Sequence, residues 1–358
     1  MSLHPLKIGF IAHVLPEKGK KVGGVSVVVQ RLAIGLSELG HDVTVYSTNS
    51  PSEKQPFQWE PITSNAFLLK LCRMPVLDLF LIPLALIFTN LRTYDILHFH
   101  GNDTFYCGKR PRIRTLYGSS YREFQHTSNR LRKLVLLMGF LFEWISVWRM
   151  DALFTIGTDT ARIYRLGLDS IVPLPVGSGQ FFPGEKTVHP QVFYNGYWKG
   201  RKRGHFVYQC FIENVLPTFP DARLVFLGNE CPAHPQVDFI KGATDEEMAK
   251  FYRESWVFAY PSTYEGFGLA YVEAMASGTA VLTSPNSGAS DILKNGTLGV
   301  IVDDDSFGEK LCELLGRPDL RAAYESSGLA RAEDFSQREV ALEHLRRYTE
   351  VLTLSDVS

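Results

Sequence analysis

Two glutamates eight positions apart, Glu265 and Glu273, are the residues of this 358-residue chain whose types and spacing best suit chemistry. They lie in the segment Ser262-Thr-Tyr-Glu-Gly-Phe-Gly-Leu-Ala-Tyr-Val-Glu273. Glu265 lies in a turn that precedes a helical pattern. Glu273 falls just over one turn into that helix among apolar neighbours, and a carboxylate there needs a partner because an unpaired buried charge is costly. The two hydroxyls of a ribose would supply it.

The turn between these glutamates has the composition of an anion-binding junction. The apolar run Val257–Tyr260 predicts a strand before it, and a helix is predicted over Leu269–Ser277. Ligands of open α/β sheets bind where strands end and helices begin, and the first turn of a helix favours an anion. Gly266 and Gly268, on either side of Phe267, would let the backbone approach a diphosphate closely. The alternative is structural, since an acidic first turn also complements the helix dipole.

The elements that must position these residues alternate between strand and helix patterns. In the first half, leucines and valines at helical spacing predict a helix over Val25–Leu39 that ends at Gly40. The predicted strands of this half are Lys7–Val14, His41–Ser47, Asp95–His100, Arg112–Tyr117, Asp151–Ile156 and Ile171–Leu174. Such alternation is typical of a parallel, doubly wound sheet.

The second half repeats the pattern after a stretch rich in proline and glycine at 175–190, which we interpret as a linker. Its predicted strands are Gln191–Tyr197, Arg223–Leu227, Val257–Tyr260, Ala280–Thr283 and Val300–Asp303. Its predicted helices are Phe206–Pro217, Asp245–Ser255, Leu269–Ser277, Phe307–Leu315, Leu320–Glu333 and Ser336–Leu352.

The pattern predicts an α/β protein with two Rossmann-like, doubly wound domains facing a central cleft. The first domain is expected at 1–174 and the second at 191–335. A C-terminal helix and tail at 336–358 could cross back to the first domain. Small-molecule sites concentrate in clefts between domains.

Composition is that of a globular enzyme and excludes some functions. Hydrophobic residues make up 45% and charged residues 21% of the chain, as in soluble domains. The net charge of −1 provides no field that would attract nucleic acid. Five cysteines without a C-x-x-C pair are typical of reduced thiols in the cytoplasm and predict no Cys/His metal site.

Two apolar segments need to be distinguished from targeting or membrane segments. Leu6–Ala12 is too short for the apolar region of a signal peptide and lacks a cleavage pattern, so it predicts a first strand. Met74–Leu91 is interrupted by Asp78 and Pro83, and its apolar run is shorter than the ~20 residues that a spanning helix needs. It predicts a core or interface helix. The expected location is the cytoplasm, either free or peripheral at the inner face of the membrane.

The Glu265–Glu273 segment resembles the E-x7-E signature of the retaining glycosyltransferases of the large group 1 family (family 4), which have the two-domain GT-B fold. Glu273-Ala-Met-Ala-Ser-Gly278-Thr-Ala-Val is similar to the family's E-A-M-A-x-G-x-P-V. The resemblance covers nearly the whole chain. The loop Lys20-Lys-Val-Gly23-Gly24 and the pattern that follows it resemble a further stretch of the family, which implies that Gly23 and Gly24 contact the donor.

The resemblance implies transfer of a hexosyl group from a nucleotide-diphospho-sugar with retention, without a metal ion or a tightly bound cofactor. A UDP-sugar is the favoured donor and a GDP-sugar the other option. The implied acceptor is a hydroxyl of a glycan, lipid-linked or small molecule, in cell-envelope or polysaccharide biosynthesis. Leu269, with Gly266, Phe267, Gly268 and Glu273, is an implied donor contact, and Glu265 is an implied catalytic residue.

A basic loop, Tyr194-Asn-Gly-Tyr-Trp-Lys-Gly-Arg-Lys-Arg-Gly204, follows the first strand of the second half. The family has Gly-Arg here and, several residues later, Lys-Gly. Tyr197 replaces that Arg, and Arg203 stands in place of the Lys with Lys202 beside it. Cations neutralise a leaving diphosphate, so we expect Arg203 to do so alone or with help from Lys202 or Arg201. The alternative is a solvated basic loop.

Two further segments carry implied contacts. Tyr117, Gly118 and Ser119 follow a strand that resembles the family's T-x-H-G, whose His lies near the transferred sugar, and Tyr117 replaces that His. A phenol donates a hydrogen bond but is a poor base at neutral pH, so we expect these residues to contact the sugar or the acceptor. Lys241 lies in a segment similar to the family loop against which the nucleotide base lies.

Other functions fit parts of the pattern. A sugar-nucleotide epimerase would use similar domains but release free sugar nucleotide, and a phosphorylase would need a lysine for pyridoxal phosphate and is usually far larger. A non-catalytic nucleotide-binding module fits the replaced Arg and His. Asp303-Asp-Asp305 suggests a metal site, but its family counterpart is a structural turn.

The segment from Lys109 to Arg149 carries nine Lys or Arg against two acids, a net charge of +7. Within it, Leu131–Phe142 joins basic to apolar residues, and Trp144 and Trp148 follow. One interpretation is an ordinary core helix with solvated ends. The other is that the first domain meets an anionic membrane face, where each basic residue could add ~1 kcal/mol, and that the acceptor is a lipid-linked or envelope glycan.

Overall fold

The computed structural model describes residues 4–17, 23–74, 78–89, 91–104, 106–108, 111–127, 129–177 and 179–355. The chain forms two compact units, one of Met1–Pro175 with Gln337–Ser358 and the other of Val176–Ser336. Each unit is built on a sheet of six strands. All strands of both sheets pair in parallel. The prediction of two doubly wound α/β units is confirmed.

The first unit contains strands β1 (Lys7–Ile11), β2 (Asp42–Ser47), β3 (Gln58–Pro61), β4 (Ile96–Phe99), β5 (Arg112–Leu116) and β6 (Ala152–Thr155). Their order in the sheet is β3-β2-β1-β4-β5-β6. The order of connection therefore reverses between β1 and β4, which is the switch point of this sheet. Its helices include α1 (Gly24–Glu38), α2 (Ala66–Cys72), α3 (Asp78–Ala85), α4 (Ser120–His126), α5 (Arg130–Arg149) and α6 (Thr158–Ile163).

The second unit contains strands β7 (Gln191–Asn195), β8 (Arg223–Leu227), β9 (Val237–Ile240), β10 (Val257–Tyr260), β11 (Ala280–Thr283) and β12 (Val300–Ile301). Their order is β12-β11-β10-β7-β8-β9, so the switch point lies between β7 and β10. Its helices are α7 (Gly204–Cys210), α8 (Leu216–Thr218), α9 (Asp245–Glu254), α10 (Leu269–Ala276), α11 (Ser287–Ile292), α12 (Asp304–Gly316) and α13 (Pro318–Ala332). The last helix, α14 (Gln337–Ser355), belongs to the first unit.

The packing of α14 against α1 attaches the end of the chain to the first unit. Leu32 and Leu36 of α1 and Val340 of α14 are buried in one apolar cluster. The two helices approach closely at Gly35, where a β-carbon would lie only 2.9 Å from the carbonyl oxygen of Gln337. A larger residue at Gly35 would therefore force the helices apart.

Most sequence-predicted strands form within one to three residues of their predicted ends, and the differences lie mainly at sheet edges. The edge strands β3 and β9 were not predicted, because their sequences, Gln-Trp-Glu-Pro and Val-Asp-Phe-Ile, are too polar to form an apolar run. The predicted strand Ile171–Leu174 is reduced to an isolated bridge between Ile171 and Thr155. The predicted helix Phe206–Pro217 is divided into α7, a π-helical turn at Phe211–Val215 and α8.

The apolar segment predicted as one helix over Met74–Leu91 is shorter and mixed in burial. It contains α3 and a 3-10 turn at Leu86–Phe88, while residues 75–77 and 90 lie outside the described residues. Leu86 is fully buried, but Phe88 is 81% exposed. In the described part of the chain, no helix has both the length and the apolar character needed to cross a bilayer.

Three buried histidines form a cluster between the sheet of the first unit and α14. His98 makes hydrogen bonds of 2.6 Å to the Tyr348 hydroxyl and 2.7 Å to the Thr115 hydroxyl. The His98 ring stacks at 4.0 Å from that of His100 and lies 6.0 Å from that of His344. Burial lowers the pKa of all three, to about 4 for His344, and their mutual repulsion adds to the effect on His98 and His100.

We expect this cluster to make the first unit sensitive to acid. The ordinary pKa of histidine is 6.5, and the folded protein lowers it. Above pH 6.5 the histidines are neutral in both the folded and the unfolded state, so the stability of the fold is complete there. Stability is lost as the pH falls through 6.5 toward 4, by up to about 1.4 kcal/mol per pH unit for each histidine. Hydrogen-exchange protection of β4 and α14 should therefore decrease between neutral and mildly acidic pH.

His344→Gln, which removes one of the three titrating side chains, should make hydrogen-exchange protection less dependent on pH. His189→Gln is the matched control, because His189 lies exposed in the second unit. An unchanged slope in His344→Gln would show that the cluster does not control the acid response.

Candidate active site

Two loops meet at the switch point of the second unit. β7 and β10 are parallel neighbours, with Val192 opposite Val257 and Phe193 opposite Phe258. The basic loop that follows β7 and the Glu265 loop that follows β10 therefore leave the same edge of the sheet side by side. This is the edge at which doubly wound sheets bind ligands.

Glu265 lies at the centre of this junction. Its Oε1 accepts hydrogen bonds from Lys202 Nζ at 2.6 Å, Arg201 Nη1 at 2.8 Å and Ser262 Oγ at 2.7 Å. Burial of Glu265 acts to raise the pKa of its carboxyl, but the two cations and their hydrogen bonds outweigh burial and lower it. The carboxylate is therefore ionised at neutral pH, and it is balanced by cations.

The two cations differ in their access to solvent. The side chain of Lys202 is 17% exposed, and its Nζ lies 4.3 Å from the centre of the Tyr260 ring, which adds a cation–π contact. The side chain of Arg201 is 40% exposed. An anion arriving from solvent could thus reach Arg201 first and Lys202 behind it.

Arg203 is engaged by other partners. Its guanidinium donates at 2.8 Å to the carbonyl oxygen of Pro261, at 2.6 Å to Ser284 Oγ and at 2.6 Å to Asp304 Oδ2. Its backbone has a φ of 54° and caps the N-terminus of α7. We expected Arg203 to neutralise a diphosphate, but in the structure its guanidinium bonds to the ends of three loops. Lys202, beside it, contacts the carboxylate of Glu265.

The glycine turn after Glu265 is fixed by close packing. Gly268 caps α10 with a φ of 100°, and a β-carbon there would lie 2.4 Å from the Tyr271 ring. Phe267 is buried, with its ring edge-on to that of Phe335. Beneath the turn, Gly288 donates from its backbone nitrogen to the carbonyl oxygen of Glu265 at 3.0 Å, and a β-carbon there would collide with that oxygen. The turn is thus held at the start of α10, between Gly266 and Leu269.

Glu273 occupies the second turn of α10, as predicted. Its neighbours Val272 and Ala274 are buried, while Glu273 itself is half-buried. The Tyr252 hydroxyl, from α9, donates to Oε2 at 3.3 Å. The carboxylate is therefore oriented from within the unit, with part of its surface exposed.

Lys241 is not brought to this junction. It is exposed in the loop between β9 and α9, and β9 is separated from β7 by β8. A capping box between Thr244 and Glu247 starts α9 immediately after this loop. If Lys241 contacts a ligand bound at this junction, it contacts a part of that ligand that is distant from Glu265.

Gly23 caps α1, the helix that follows β1, and Gly24 begins it. Residues 18–22, with Lys20 and Lys21, lie outside the described residues. Among the residues that the structure describes, none comes within 4 Å of a β-carbon built on Gly23.

Tyr117, Gly118 and Ser119 follow β5, next to the end of β4. The Tyr117 hydroxyl is 2.8 Å from Nδ1 of His100, and burial raises the pKa of Tyr117, so its phenol is neutral. Gly118 has a φ of 114°, and Ser119 caps α4 by accepting from the Tyr121 nitrogen at 3.2 Å. These residues form a polar group of the first unit that can donate and accept hydrogen bonds.

Sequence reasoning missed the residues that support the junction. Asn286 Nδ2 donates at 2.9 Å to both the Ser262 carbonyl oxygen and the Tyr271 hydroxyl, and Asn286 also caps α11. Its position at the end of a strand, before Ser-Gly, was the available signal. The contact of Tyr252 with Glu273 had no signal, because it joins residues of separate helices. Within the described residues, no group of three or more His, Cys, Asp or Glu side chains could hold a metal ion.

Comparisons with known proteins agree with this arrangement. The family model described as glycosyl transferases group 1 matches residues 192–330, and the one described as Glycosyltransferase Family 4 matches residues 22–176. Phosphatidyl-myo-inositol mannosyltransferase of Mycolicibacterium smegmatis is 25% identical over 382 residues, covering 95% of this chain and 94% of that protein.

Solved structures share the fold. Sucrose-phosphate synthase of Thermosynechococcus elongatus superposes with a TM-score of 0.73 at 17% identity, over 98% of this chain and 100% of the other. Anabaena HepE in complex with UDP and glucose gives 0.70 at 13% identity, over 96% and 99%. Taken with two doubly wound units and the paired loops around Glu265, these matches show that the chain belongs to the group 1, family 4 glycosyltransferases of the GT-B fold.

Proposed function

We propose that the protein transfers a sugar from a nucleotide-diphospho-sugar to a hydroxyl acceptor, with retention at the anomeric carbon. The observation that carries this proposal is the buried carboxylate of Glu265, held by Lys202 and Arg201 at the start of α10. A diphosphate at this helix N-terminus would be a second anion for both cations. As the cations turn to the phosphates, the Glu265 oxygens become acceptors for hydroxyls of the donor sugar.

The same groups would stabilise the transition state. Cleavage of the bond between the anomeric carbon and the phosphate oxygen passes through an oxocarbenium-like state, and negative charge grows on the leaving phosphate. In this proposal, Lys202, Arg201 and the N–H groups at the start of α10 stabilise this charge; Lys202 and Arg201 already lie against the Glu265 carboxylate there. The acceptor oxygen bonds to the anomeric carbon, and its proton passes to the leaving phosphate. No side chain of the protein then has to act as a base.

Glu273 is proposed to hold the ribose of the donor. Its carboxylate is half-buried and already oriented by Tyr252, so two adjacent ribose hydroxyls could donate to its oxygens with little loss of side-chain entropy. The proposed donor is a UDP-sugar, with a GDP-sugar as the alternative. The support is the complex of HepE with UDP and glucose, in a protein of the same fold.

The proposed acceptor is a hydroxyl of a lipid-linked molecule or another glycan, in cell-envelope or polysaccharide biosynthesis. The support is the name of the Mycolicibacterium smegmatis relative, a phosphatidyl-myo-inositol mannosyltransferase. A small-molecule acceptor remains the alternative, and Tyr117, Gly118 and Ser119 are the proposed contacts of the acceptor or sugar in the first unit.

Product analysis separates this proposal from its rivals. Nucleotide sugars would be screened first for thermal stabilisation, since a ligand at 100 times its Kd adds about 2.7 kcal/mol. The stabilising donor, labelled in the sugar, would then be incubated with candidate acceptors. A glycosylated product supports transfer, a free isomerised sugar nucleotide identifies an epimerase, and binding without any turnover identifies a non-catalytic module.

The two glutamates should have separable effects. Glu273→Gln should weaken nucleoside diphosphate binding by about tenfold, because a ribose contact is lost. Glu265→Gln should lower turnover by about a hundredfold, because charged hydrogen bonds to the sugar hydroxyls are lost in the transition state, with nucleotide affinity nearly unchanged. Calorimetry with UDP and GDP and single-turnover assays would measure the two effects, with exposed Glu246→Gln as control. Loss of UDP binding in Glu265→Gln would contradict the assigned roles.

The three cations of the basic loop should differ in what they affect. Lys202→Ala should cost on the order of 3 kcal/mol of transition-state stabilisation, comparable to the loss of a strong electrostatic donor. Arg201→Ala should cost less, because solvent screens its more exposed charge. Arg203→Ala should mainly reduce stability, by about 1–3 kcal/mol, since it links Pro261, Ser284 and Asp304.

The measurements are kcat/KM and thermal unfolding for each variant. We therefore propose that Lys202 contributes more to catalysis than Arg203, because Lys202 contacts Glu265 whereas Arg203 bonds to Pro261, Ser284 and Asp304. Equal small losses of kcat/KM in all three variants would mean that the loop does not contact the diphosphate.

Turnover should not require a divalent metal. The proposed charges on the diphosphate are met by Lys202, Arg201 and the start of α10, so EDTA should leave kcat/KM unchanged. The control is the same assay with added Mg²⁺ or Mn²⁺. Loss of activity in EDTA, restored by either metal, would contradict the proposed scheme.

A further inference from the structure

Helix α5 exposes a row of large apolar side chains. Leu134, Leu137, Leu141 and Trp148, which we call the leucine face, are spaced three, four and seven residues apart, so they lie on one side of the helix. Leu134 is 56%, Leu141 57% and Trp148 80% exposed. Soluble proteins rarely expose such continuous apolar surface without a partner.

The orientation of α5 is fixed by its opposite side. Ser146 is fully buried and bonds to Asp103 at 2.6 Å. Glu143 accepts from the Ser120 hydroxyl at 2.7 Å. A small rotation that buried the leucines would break these contacts. The leucine face is therefore outward because the inner side of α5 is already occupied.

A second apolar group lies on elements connected to α5. Phe67 of α2 and Ile87 and Phe88 of the turn after α3 are 73%, 53% and 81% exposed. α3 contacts α5 through the rings of Phe80 and Phe142, whose centres are 5.6 Å apart. The first unit thus has a second group of exposed apolar side chains, next to the side of α5 that Phe142 occupies.

Positive charge near the leucine face comes from the first turn of α5, at Arg130 and Lys133. Arg132, in the same turn, pairs with Glu123 of α4 at 3.2 Å, and the single acid of the helix, Glu143, bonds inward to Ser120. Of the other basic residues in the segment, Arg112 and Arg114 are buried in pairs with Asp151 and Asp103, so they cannot act at the surface. Lys109 and Arg110 lie outside the described residues. The positive charge available to a partner is therefore concentrated at one end of the leucine face.

We propose that the leucine face is a docking surface for an anionic lipid bilayer. Apolar side chains would enter the boundary between headgroups and acyl chains, Trp148 would lie at the headgroup level, and the cations of the first turn would contact anionic headgroups. The partner is a lipid surface rather than a protein because leucines, one tryptophan and basic residues on a single helix match the layers of a membrane interface. This surface is distinct from the proposed transfer site in the second unit, and its test does not require catalysis.

Vesicle co-sedimentation of the full chain tests the proposal. The protein should bind phosphatidylcholine vesicles that contain phosphatidylglycerol at low salt, bind less at high salt, and bind pure phosphatidylcholine much more weakly. No binding to the anionic vesicles at low salt would overturn the proposal. Equal binding to both vesicle types would overturn its electrostatic part.

Two variants locate the surface. Leu134→Ser/Leu141→Ser should lower vesicle affinity by at least about tenfold. The control Leu168→Ser/Val188→Ser, which removes two apolar side chains that are even more exposed and lie outside α5, should not. Arg130→Glu/Lys133→Glu should abolish the preference for anionic vesicles, whereas Lys54→Glu/Lys250→Glu, with the same change in net charge, should retain it.

Donor binding and the unfolding temperature of each variant would show that the fold is intact. If the leucine variants bound vesicles like the original protein, the leucine face would not be the docking surface. A lipid-free dimer that dissociates in Leu134→Ser/Leu141→Ser would show that a second copy of the chain covers this face, which would also overturn the proposal.

Discussion

The site of the second unit depends on the compensation of one buried negative charge. Glu265 lies in a largely buried position, where an unpaired carboxylate would be protonated or would destabilise the fold. Lys202 and Arg201 meet this requirement from a loop more than sixty positions earlier in the chain. The basic loop therefore has to lie against the turn after β10. The parallel pairing of β7 with β10 makes this possible, because both loops leave the same edge of the sheet.

The loops around this charge are held in place before any substrate binds. Arg203 adopts a left-handed backbone conformation and links three loop ends through its guanidinium. Gly268 allows the close approach of the Tyr271 ring, and Gly288 allows a backbone contact with Glu265, both of which a β-carbon would prevent. Because these loops are already ordered, less conformational entropy is lost when a ligand binds. In this interpretation Arg203 serves the reaction indirectly, by fixing the loop that carries Lys202 and Arg201.

The first unit combines a group of buried histidine rings with a group of exposed apolar side chains. Its interior holds His98, His100 and His344 as neutral rings, because burial disfavours their charged forms. Its surface presents the leucine face next to a basic helix turn. The buried rings join the sheet to α14, whereas about half of each leucine of the leucine face is exposed to solvent. The proposed contact with a lipid surface would account for this exposure.

The sequence alone determined the fold class and the position of the junction around Glu265. Apolar runs of strand length, helical spacing and paired glycines depend on neighbours in the chain, and those interactions are local. The tertiary structure decided which cations contact the carboxylate of Glu265, because three consecutive basic residues cannot be told apart in sequence. In the folded loop, Lys202 and Arg201 bond to Glu265, whereas Arg203 bonds to Pro261. The tertiary structure also placed β3 and β9 at the sheet edges, where polar residues suffice. Finally, it exposed the leucines of α5, because only packing of the opposite side decides which face of an apolar helix is buried.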